Sequence, residues 1–240
     1  MKNAGAEPPF FCFRDETYRA GLPPAELALT EPNGLLAAGG SLRPGTLLDG
    51  YRQGIFPWYA RGQPLLWWAP NPRTVFWPGQ FHVSRSLART LRRGEFTVSF
   101  DRDFSGVMHA CGPQRTPPGE TWITPAMLHA YTALHALGHA HSVECWRAGE
   151  LVGGVYGVAV GQVFFGESMF SRISNASKVA LAVLCRQLVV WNYALMDCQM
   201  DSAHLTSLGA QEISRPHFTE LLARLCVAPP ARGAWPSGLI

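Results

Sequence analysis

A run of strand-like segments between residues 141 and 170 is the clearest pattern of apolar and polar positions in this chain. Side chains alternate at 141–146, and two apolar stretches follow at 151–160 and 163–170. Turn residues separate the three segments, namely Ala148-Gly149-Glu150 and Gly161-Gln162. Because connections this short join neighbouring antiparallel strands, the pattern predicts an antiparallel meander.

A helix and one more strand follow the meander. Apolar positions at helical spacing predict a long helix at 176–191, which Asn175 can cap, and then a short buried strand at 194–199. A strand, a helix and a strand in succession form a right-handed crossover between parallel strands. We therefore expect 163–170 and 194–199 to lie parallel in one mixed sheet.

Helical spacing of apolar positions recurs outside this region. It predicts further helices at residues 44–54, 84–93, 124–137, 204–208 and 216–225. The first 72 residues differ in composition from the rest: they are rich in Gly, Pro and Trp, and so many turn residues allow only short helices and strands. We predict a small, irregular N-terminal α/β domain at 1–72 and a second domain at 73–240.

Composition excludes several classes of protein. With 47% apolar and 15% charged residues, the chain of 240 residues is too apolar to be disordered. Its most apolar stretch ends at Arg186, short of the ~20 residues that a membrane-spanning helix needs, and the N-terminus lacks the apolar core of a secretion signal. The six cysteines form no C-x-x-C pair, so we expect no zinc site, no disulfide framework and a cytoplasmic protein.

Charge is nearly balanced overall, with a formal net charge of +3, but it is unevenly distributed. Between residues 73 and 93 the chain has five arginines and no acidic residue. They are Arg73, Arg85, Arg89, Arg92 and Arg93, and the last four share one face of the predicted helix at 84–93. Such a stripe can bind the phosphates of a nucleic acid, or it can simply be a solvated face.

Polar residues stand where the two predicted parallel strands end. Asp197 and Gln199 are two positions apart and therefore point to one face of their strand, and Glu167 ends the neighbouring strand. Ligands of such sheets tend to bind beyond the carboxyl ends of the strands. The surrounding residues are apolar, so the cleft would suit an amine-bearing or cationic ligand with an apolar part. The alternative is that one of the acids only satisfies a backbone or arginine donor.

Two other groups also have a structural and a functional interpretation. His135, His139 and His141 are spaced loosely like metal ligands, but they lack an H-E-x-x-H pattern, so we favour ordinary hydrogen-bonded histidines. Four tryptophans would normally be core residues but could instead stack against the end of a nucleic acid. They are Trp58, Trp67, Trp68 and Trp122. No phosphate-binding or dinucleotide-binding glycine motif opens a helix, so we predict no cofactor.

Longer stretches of the chain resemble the leucyl/phenylalanyl-tRNA–protein transferase family. The stretches that carry the resemblance are EPNGLLAAGG at 31–40, YRQGIFPW at 51–58, LWWAP at 66–70, GETWIT at 119–124, FGESMFS at 165–171, NASK at 175–178, DCQ at 197–199 and SLGA at 207–210. They occur in the order and with the spacing of the family, within a match that runs from about residue 22 to 225.

The resemblance implies a fold and an activity. It implies an α+β protein whose C-terminal part is an acyl-CoA N-acyltransferase-like (GNAT-like) mixed sheet flanked by helices, working without coenzyme A. The implied reaction moves leucine or phenylalanine from Leu-tRNA or Phe-tRNA to the N-terminal arginine or lysine of an acceptor protein. The product would be a degradation signal of the bacterial N-degron pathway. Neither a cofactor nor a membrane is implied.

The resemblance also implies roles for single residues. Asp197 and Gln199 match the catalytic centre, and Glu167 matches the acceptor or catalytic cleft. By resemblance, Trp58 and Trp122 lie around the aminoacyl-adenosine end, and Phe164 and Val155 lie in the pocket for the amino-acid side chain. We add Phe165, Ser168 and Met169 beside the cleft to this expected substrate site. For tRNA itself we expect contacts from Arg73, Arg85, Arg89, Arg92 and Arg93. Val155 stands where a larger Met or Leu is common, which leaves the preference among leucine, phenylalanine and methionine open.

The chemistry of this reaction agrees with the residues at the strand ends. An aminoacyl ester is already activated, so aminolysis needs positioning more than a strong catalyst. The α-ammonium of the acceptor, with a pKa of ~8, must lose a proton before it attacks. We hypothesise that Asp197 orients this amine or accepts its proton, that Gln199 holds Asp197 or the ester, and that Glu167 helps to neutralise the cationic acceptor.

Two rival functions remain at this stage. One is a coenzyme A-dependent acetyltransferase, although residues 170–175 do not form the glycine-rich pyrophosphate cradle that such an enzyme uses. The other is a protein that binds a tRNA end or a peptide N-terminus without catalysis. Saturable binding of acetyl-coenzyme A would favour the first, and an absence of leucine transfer from tRNA to peptide would favour the second.

Overall fold

Two β-sheets and seven α-helices make up the part of the chain that the structure, a computed structural model, describes: residues 10–13, 21–112, 121–235 and 238–239. The predicted α+β class, with a mixed sheet flanked by helices, is confirmed. Among these residues no helix has both the length and the apolarity that crossing a membrane requires.

The smaller sheet lies in the N-terminal part of the chain. Its strands are β1 (Phe11–Cys12), β2 (Leu35–Ala38), β3 (Phe56–Pro57) and β4 (Leu66–Trp68), in the order β1-β2-β4-β3. Helix α1 (Pro44–Arg52) connects β2 to β3 and begins with a proline, which has no N–H to leave unbonded at a helix start. The shortness of these strands agrees with the density of turn residues.

The larger sheet has eight strands, in the order β11-β5-β10-β9-β8-β7-β6-β12. They are β5 (Arg73–Phe76), β6 (Thr97–Phe100), β7 (Ala140–Arg147), β8 (Glu150–Val160), β9 (Val163–Ser171), β10 (Leu195–Gln199), β11 (Gln211–Ile213) and β12 (Gly238–Leu239). β7, β8 and β9 pair antiparallel, which confirms the predicted meander. β9 and β10 pair in parallel, as the crossover rule predicts.

Helices cover both faces of the larger sheet. They are α2 (Arg85–Arg93), α3 (Phe104–Cys111), α4 (Pro125–Ala136), α5 (Ala176–Val190), α6 (Ala203–Ser207) and α7 (Arg215–Leu225). Ser84 and Thr124 cap α2 and α4 by accepting a backbone N–H with the side-chain oxygen. Asn175 occupies the cap position of α5 in a left-handed conformation, but its side chain makes no capping bond.

Several elements escaped the sequence patterns, namely β5, β6, β11, β12 and α3. Most of them are short, and a segment of three or four residues contains too few alternations to be distinguished from a loop. In the sequence, residues 73–76 look only like the start of the arginine stripe, whereas in the structure β5 is an interior strand between β11 and β10.

The apolar residues divide into two clusters on opposite faces of the larger sheet. The first joins α1, α3 and α4, and includes Tyr51, Tyr131 and Phe165. The second joins α2 and α5, and includes Val155 and Phe164. The first cluster contains residues of both sheets, so the two sheets share a core. The strands themselves divide at residue 73: the small sheet uses only strands before it, and the large sheet only strands from Arg73 onward. The division into domains after residue 72 stays a prediction.

Candidate active site

The parallel strands β9 and β10 separate in the middle of β9, because β10 ends at Gln199 whereas β9 continues along β8 to Ser171. Glu167 therefore lies within its strand, and the prediction that it ends the strand is wrong. The pairing of β9 with β10 stops at Phe165 and Asp197, and Gln199 is then opposite Thr74 of β5. Each strand has a bulge at this point: Cys198 is the extra residue of β10 against β5, and Glu167 is the extra residue of β9 against β8. The predicted polar residues therefore stand around an opening between two strands.

The bulge at Glu167 changes which side chains face which side of the sheet. Before it, Phe165 faces the first core cluster and Phe164 the second; after it, Phe170 faces the first cluster and Met169 the second. Strict alternation would have turned Met169 to the same side as Phe165. Opposite the bulge is Gly157, where a Cβ atom would lie 2.2 Å from the carbonyl oxygen of Phe165, so the glycine is needed for this close approach.

Asp197 is completely buried and is held by Arg73. The Nε and Nη2 atoms of Arg73 donate to the Oδ1 and Oδ2 atoms of Asp197 at 2.7 Å each, in a bidentate pair. Both side chains are at most 1% exposed. The Oδ1 atom of Asp197 also accepts the backbone N–H of Gln199 at 3.0 Å. The carboxylate is thus fully engaged within the protein.

Arg73 is fixed from three further sides. Its Nη1 atom donates to the carbonyl oxygen of Gly54 at 2.9 Å, and its guanidinium lies between the rings of Phe56 and Phe218, 4.8 and 4.7 Å from their centroids. Gly54 has a φ of +77°, and a Cβ atom there would lie 2.9 Å from the Phe218 ring, so only glycine suits this position. The N-terminal sheet, β5 and α7 meet at one guanidinium.

Gln199 connects Asp197 to Glu167. Its backbone has a φ of +65°, in the left-handed region, and the bond from its N–H to Asp197 holds it there. This conformation directs the side chain toward β9, where its Nε2 atom donates to the Oε1 atom of Glu167 at 3.1 Å. Arg73, Asp197, Gln199 and Glu167 therefore form one continuous chain of hydrogen bonds, which confirms that the three predicted polar residues converge.

Glu167 lies among tyrosines. The Oη atom of Tyr51 is 2.7 Å from its Oε1 atom, and the Oη atom of Tyr131 is 3.0 Å from its Oε2 atom. The two phenol oxygens are also in hydrogen-bonding contact with each other. Burial raises the pKa of Glu167 to about 7, against the opposing effect of the bonds from the tyrosines.

Trp58 and Trp122 line an open groove of about 480 Å³. Trp58 is 38% exposed and packs edge-on against Trp68, with ring centroids 5.5 Å apart. Tyr59, whose hydroxyl group contacts Thr124, forms another wall. The groove packs against the same core cluster that contains Tyr51 and Tyr131. Exposed aromatic faces of this kind can stack against the base of a nucleotide.

The other residues of the expected substrate site divide between the two faces of the sheet. Val155 and Phe164 are buried in the second cluster against α5, with Met169 half-buried beside it, whereas Phe165 is buried in the first cluster. Ser168 is half-buried opposite Tyr156 of β8. The structure therefore brings Met169, Phe164 and Val155 together on one face, and Phe165 with Glu167 on the other.

The predicted arginine stripe is not one surface. Arg85, Arg89, Arg92 and Arg93 are exposed on α2, as their spacing predicts. Arg73 is 1% exposed and bound to Asp197, so the expectation that it contacts tRNA is wrong. An arginine buried next to a carboxylate is more stable paired than exposed to a phosphate, which explains the difference.

Sequence reasoning missed Tyr51 and Tyr131 as site residues and missed the partner of Asp197. Both tyrosines lie in predicted helices, and a buried tyrosine normally finds a partner for its hydroxyl group. Inward tyrosines in a chain with a buried acid were the available signal. Of the three histidines, His135 and His141 contact the Ala140 carbonyl oxygen and Asp101, respectively.

Comparison with known proteins gives consistent matches. The model of the family described as leucyl/phenylalanyl-tRNA protein transferase matches residues 75–223, and that of the family's N-terminal domain matches residues 40–71. A protein named leucyl/phenylalanyl-tRNA–protein transferase from Alkalilimnicola ehrlichii is 57% identical, over 90% of this chain and 84% of its own length. The proteins of that name from Pseudomonas syringae pv. syringae and Nitrosospira multiformis are each 56% identical, over 84% and 85% of this chain and 88% of their own lengths.

A solved structure, a GCN5-related N-acetyltransferase from Kribbella flavida, is 13% identical with a TM-score of 0.39, and the match covers 71% of this chain and 61% of that chain. A score this low supports no conclusion about the chain.

Proposed function

This chain belongs to the leucyl/phenylalanyl-tRNA protein transferase family, and we propose that it transfers leucine or phenylalanine from aminoacyl-tRNA to the α-amine of an acceptor protein. The observation that carries the proposal is the hydrogen-bond chain from Arg73 through Asp197 and Gln199 to Glu167, at the opening between β9 and β10. It offers a fixed polar edge at the place where a mixed sheet of this kind binds its ligand.

In the proposed reaction the amine nitrogen bonds to the ester carbonyl carbon, and the bond from that carbon to the tRNA ribose oxygen breaks. The nitrogen loses a proton and the leaving oxygen gains one. Because the ester is already activated, orientation of the two reactants supplies most of the acceleration. Rigid partners such as the bidentate pair of Arg73 and Asp197 are suited to this task.

We assign Asp197 a positioning role. Both of its oxygens accept hydrogen bonds from Arg73, one also accepts the Gln199 N–H, and the residue is 0% exposed. This geometry supports neither contact with the acceptor amine nor acceptance of its proton, so the hypothesis made from the sequence is revised. Gln199 and Glu167 then remain as the polar groups that face the reactants.

The two faces of the sheet support a division between donor and acceptor. The amino acid of the donor would enter on the α5 face, with Met169 at the entrance and Val155 and Phe164 behind it, while the acceptor would approach Glu167. An apolar pocket discriminates by only about 1–3 kcal/mol per methylene, so methionine would also be transferred. The groove of Trp58 and Trp122 would hold the terminal adenosine, and the arginines of α2 would contact the tRNA backbone.

An acidic residue in the cleft supports an acceptor with a cationic N-terminal residue, namely arginine or lysine. The product would then carry an N-terminal leucine or phenylalanine and serve as a degradation signal. Aminoacyl-tRNA is a cytoplasmic substrate, so the proposed reaction would take place in the cytoplasm.

The proposal is tested by incubating the protein with tRNA charged with labelled leucine and a peptide that begins with arginine. We expect label in the peptide, and none in a matched peptide whose N-terminus is acetylated. Label that stays on the tRNA although both substrates bind would support a binding protein instead. Saturable binding of acetyl-coenzyme A with transfer of its acetyl group would support the acetyltransferase.

A further inference from the structure

Glu167, Tyr51 and Tyr131 form a closed triangle of polar contacts. Tyr51 is 2.7 Å from Glu167 Oε1, Tyr131 is 3.0 Å from Glu167 Oε2, and the two phenol oxygens contact each other. Both tyrosines are at most 1% exposed and Glu167 is 9% exposed. The two phenols are thus shielded from water, and the three contacts must be satisfied by the hydrogens of the three side chains.

Counting hydrogens decides the charge of this group. Each phenol has one hydrogen to donate. If Glu167 were ionised and both phenols donated to it, no hydrogen would remain for the contact between the two phenol oxygens, and their lone pairs would face each other. One more proton on Glu167 removes the conflict, because three contacts then have three hydrogens.

The positions of the other donors indicate which oxygen is protonated. Glu167 Oε1 already receives the Nε2 donor of Gln199 at 3.1 Å in addition to the contact with Tyr51, as suits a carbonyl oxygen. Glu167 Oε2 contacts Tyr131 and is the better hydroxyl oxygen. The ring is then complete: Glu167 Oε2 donates to Tyr131, Tyr131 donates to Tyr51, and Tyr51 donates to Glu167 Oε1.

We propose that Glu167 carries a proton in the resting protein, and that Tyr51 and Tyr131 are positioning residues that hold this proton in a ring of three hydrogen bonds. The consequence drawn below for acceptor binding rests on the proposed function; the protonation state itself does not.

The surrounding charges agree with a neutral Glu167. Burial is the largest cause of the raised pKa of Glu167; the negative charge of Asp197 raises this pKa further, and the positive charge of Arg73, which is paired with Asp197, lowers it by a smaller amount. Burial raises the pKa of Tyr51, Tyr131 and Tyr156 well above the usual value, so these phenols keep their hydrogens at neutral pH. Tyr156 lies on β8, and its ring packs edge-on against that of Tyr131. Its hydroxyl group has no hydrogen-bond partner among the described residues, so Tyr156 takes no part in the ring of hydrogen bonds.

A proton at this position would be exchanged for the cation of the acceptor. When an N-terminal arginine or lysine approaches, Glu167 would release its proton and pair with the positive charge. Acceptor binding would then weaken about tenfold for each pH unit below the pKa of Glu167, which lies at about 7. Above that pH the affinity would be constant.

Infrared difference spectroscopy tests the protonation state directly. A protonated carboxyl group has a C=O band that neither a carboxylate nor an amide has, and Glu167→Gln supplies the reference with the same shape. We expect a band in the wild-type protein that disappears as the pH is raised through about 7. An absence of this band at acidic pH would show an ionised Glu167 and would overturn the proposal.

Phenylalanine variants test the ring itself. Tyr51→Phe removes the donor to the carbonyl oxygen, so the C=O band should move to higher frequency, and Tyr131→Phe should shift it by removing the partner of the hydroxyl. Tyr156→Phe is the matched control, since it removes a phenol nearby that makes no bond to Glu167, and should leave the band in place. A band that is the same in all three variants would overturn the ring.

Calorimetry separates this proposal from the proposed function. A peptide with N-terminal arginine is titrated below pH 7 in two buffers of different ionisation heat, and we expect about one proton released per peptide, and none with Glu167→Gln. Peptide binding without proton release would overturn the exchange. If the infrared band is present but no labelled leucine is transferred, the proposed function fails and the ring stands. If leucine is transferred but the band is absent, the proposed function stands and the ring fails.

Discussion

Replacing Arg73 with methionine removes the guanidinium that holds both oxygens of Asp197. The pair is at most 1% exposed and its two bonds are 2.7 Å long, so the single change leaves a buried carboxylate without a counter-charge. Breaking a buried pair from one side costs about 3–5 kcal/mol. That is a large part of the roughly 5–15 kcal/mol by which a typical domain is stable.

Asp197→Asn perturbs the pair from the other side and leaves Arg73 as the unpaired charge. We expect a similar loss of stability, and a loss in the double variant that is smaller than the sum of the two single losses by about 0.5–3 kcal/mol. Arg52 and Asp49 provide a matched control, because their ion pair has side chains 47% and 64% exposed. The same cycle at that pair should give a coupling of at most about 1 kcal/mol.

Urea and thermal unfolding measure these energies. A loss of about 3–5 kcal/mol corresponds to a drop of about 6–20 °C in Tm for a chain of this size. Single variants that lose less than about 1 kcal/mol, or losses that simply add, would refute the assignment of a buried, mutually dependent pair. Asp197→Ala, which also removes the acceptor for the Gln199 N–H, should lower kcat for transfer about 100-fold at unchanged tRNA affinity.

Three further predictions concern the nucleic-acid surfaces and the buried acid. Replacing Arg85 and Arg89 with alanine should weaken tRNA binding and reduce the slope of log K against log salt by roughly 1.5–2, whereas Arg224→Ala on α7 should leave the slope unchanged. Trp58→Ala should raise KM for aminoacyl-tRNA roughly 5- to 150-fold in steady-state transfer assays, because one stacked base contributes about 1–3 kcal/mol to binding. Because the pKa of Glu167 rises from 4.5 to about 7 on folding, its contribution to stability falls as the pH increases through that window. Glu167→Gln should therefore match the wild type near pH 4.5 and exceed its stability by about 3 kcal/mol above pH 7, as measured by urea unfolding.

Much of the large sheet could be predicted from the sequence, because its strands are long and joined locally. β7, β8 and β9 have eight to eleven residues each and are connected by short turns. One continuous segment of sequence therefore predicts both the alternation within each strand and which strands are neighbours. The parallel pairing of β9 and β10 follows from the handedness of crossovers. By contrast, β5 has four residues and finds its partner strand more than a hundred positions away.

The side on which a residue lies was harder to predict than the strand it belongs to. Alternation assigns faces only while the ladder is regular, and the bulge at Glu167 reverses the assignment for Met169. A bulge depends on close approach between two strands, such as that of Gly157 to Phe165. The pattern of apolar and polar residues within one strand therefore does not predict it.

The amino-acid sequence alone determined the family, through its motifs. It also determined the order of the central strands and the meeting of Asp197, Gln199 and Glu167 where β9 and β10 separate, because these depend on local periodicity and on the connection rules of sheets. The tertiary structure alone decided what each of these groups is bonded to. Arg73 looks like part of a basic stripe in the sequence, and becomes the buried partner of Asp197 once β5 lies beside β10. Tyr51 and Tyr131 look like core residues, and become the partners of Glu167 once α1 and α4 pack on the same face. The charge and the hydrogen bonds of a buried group depend on its neighbours in space, and packing brings together residues that are far apart along the chain.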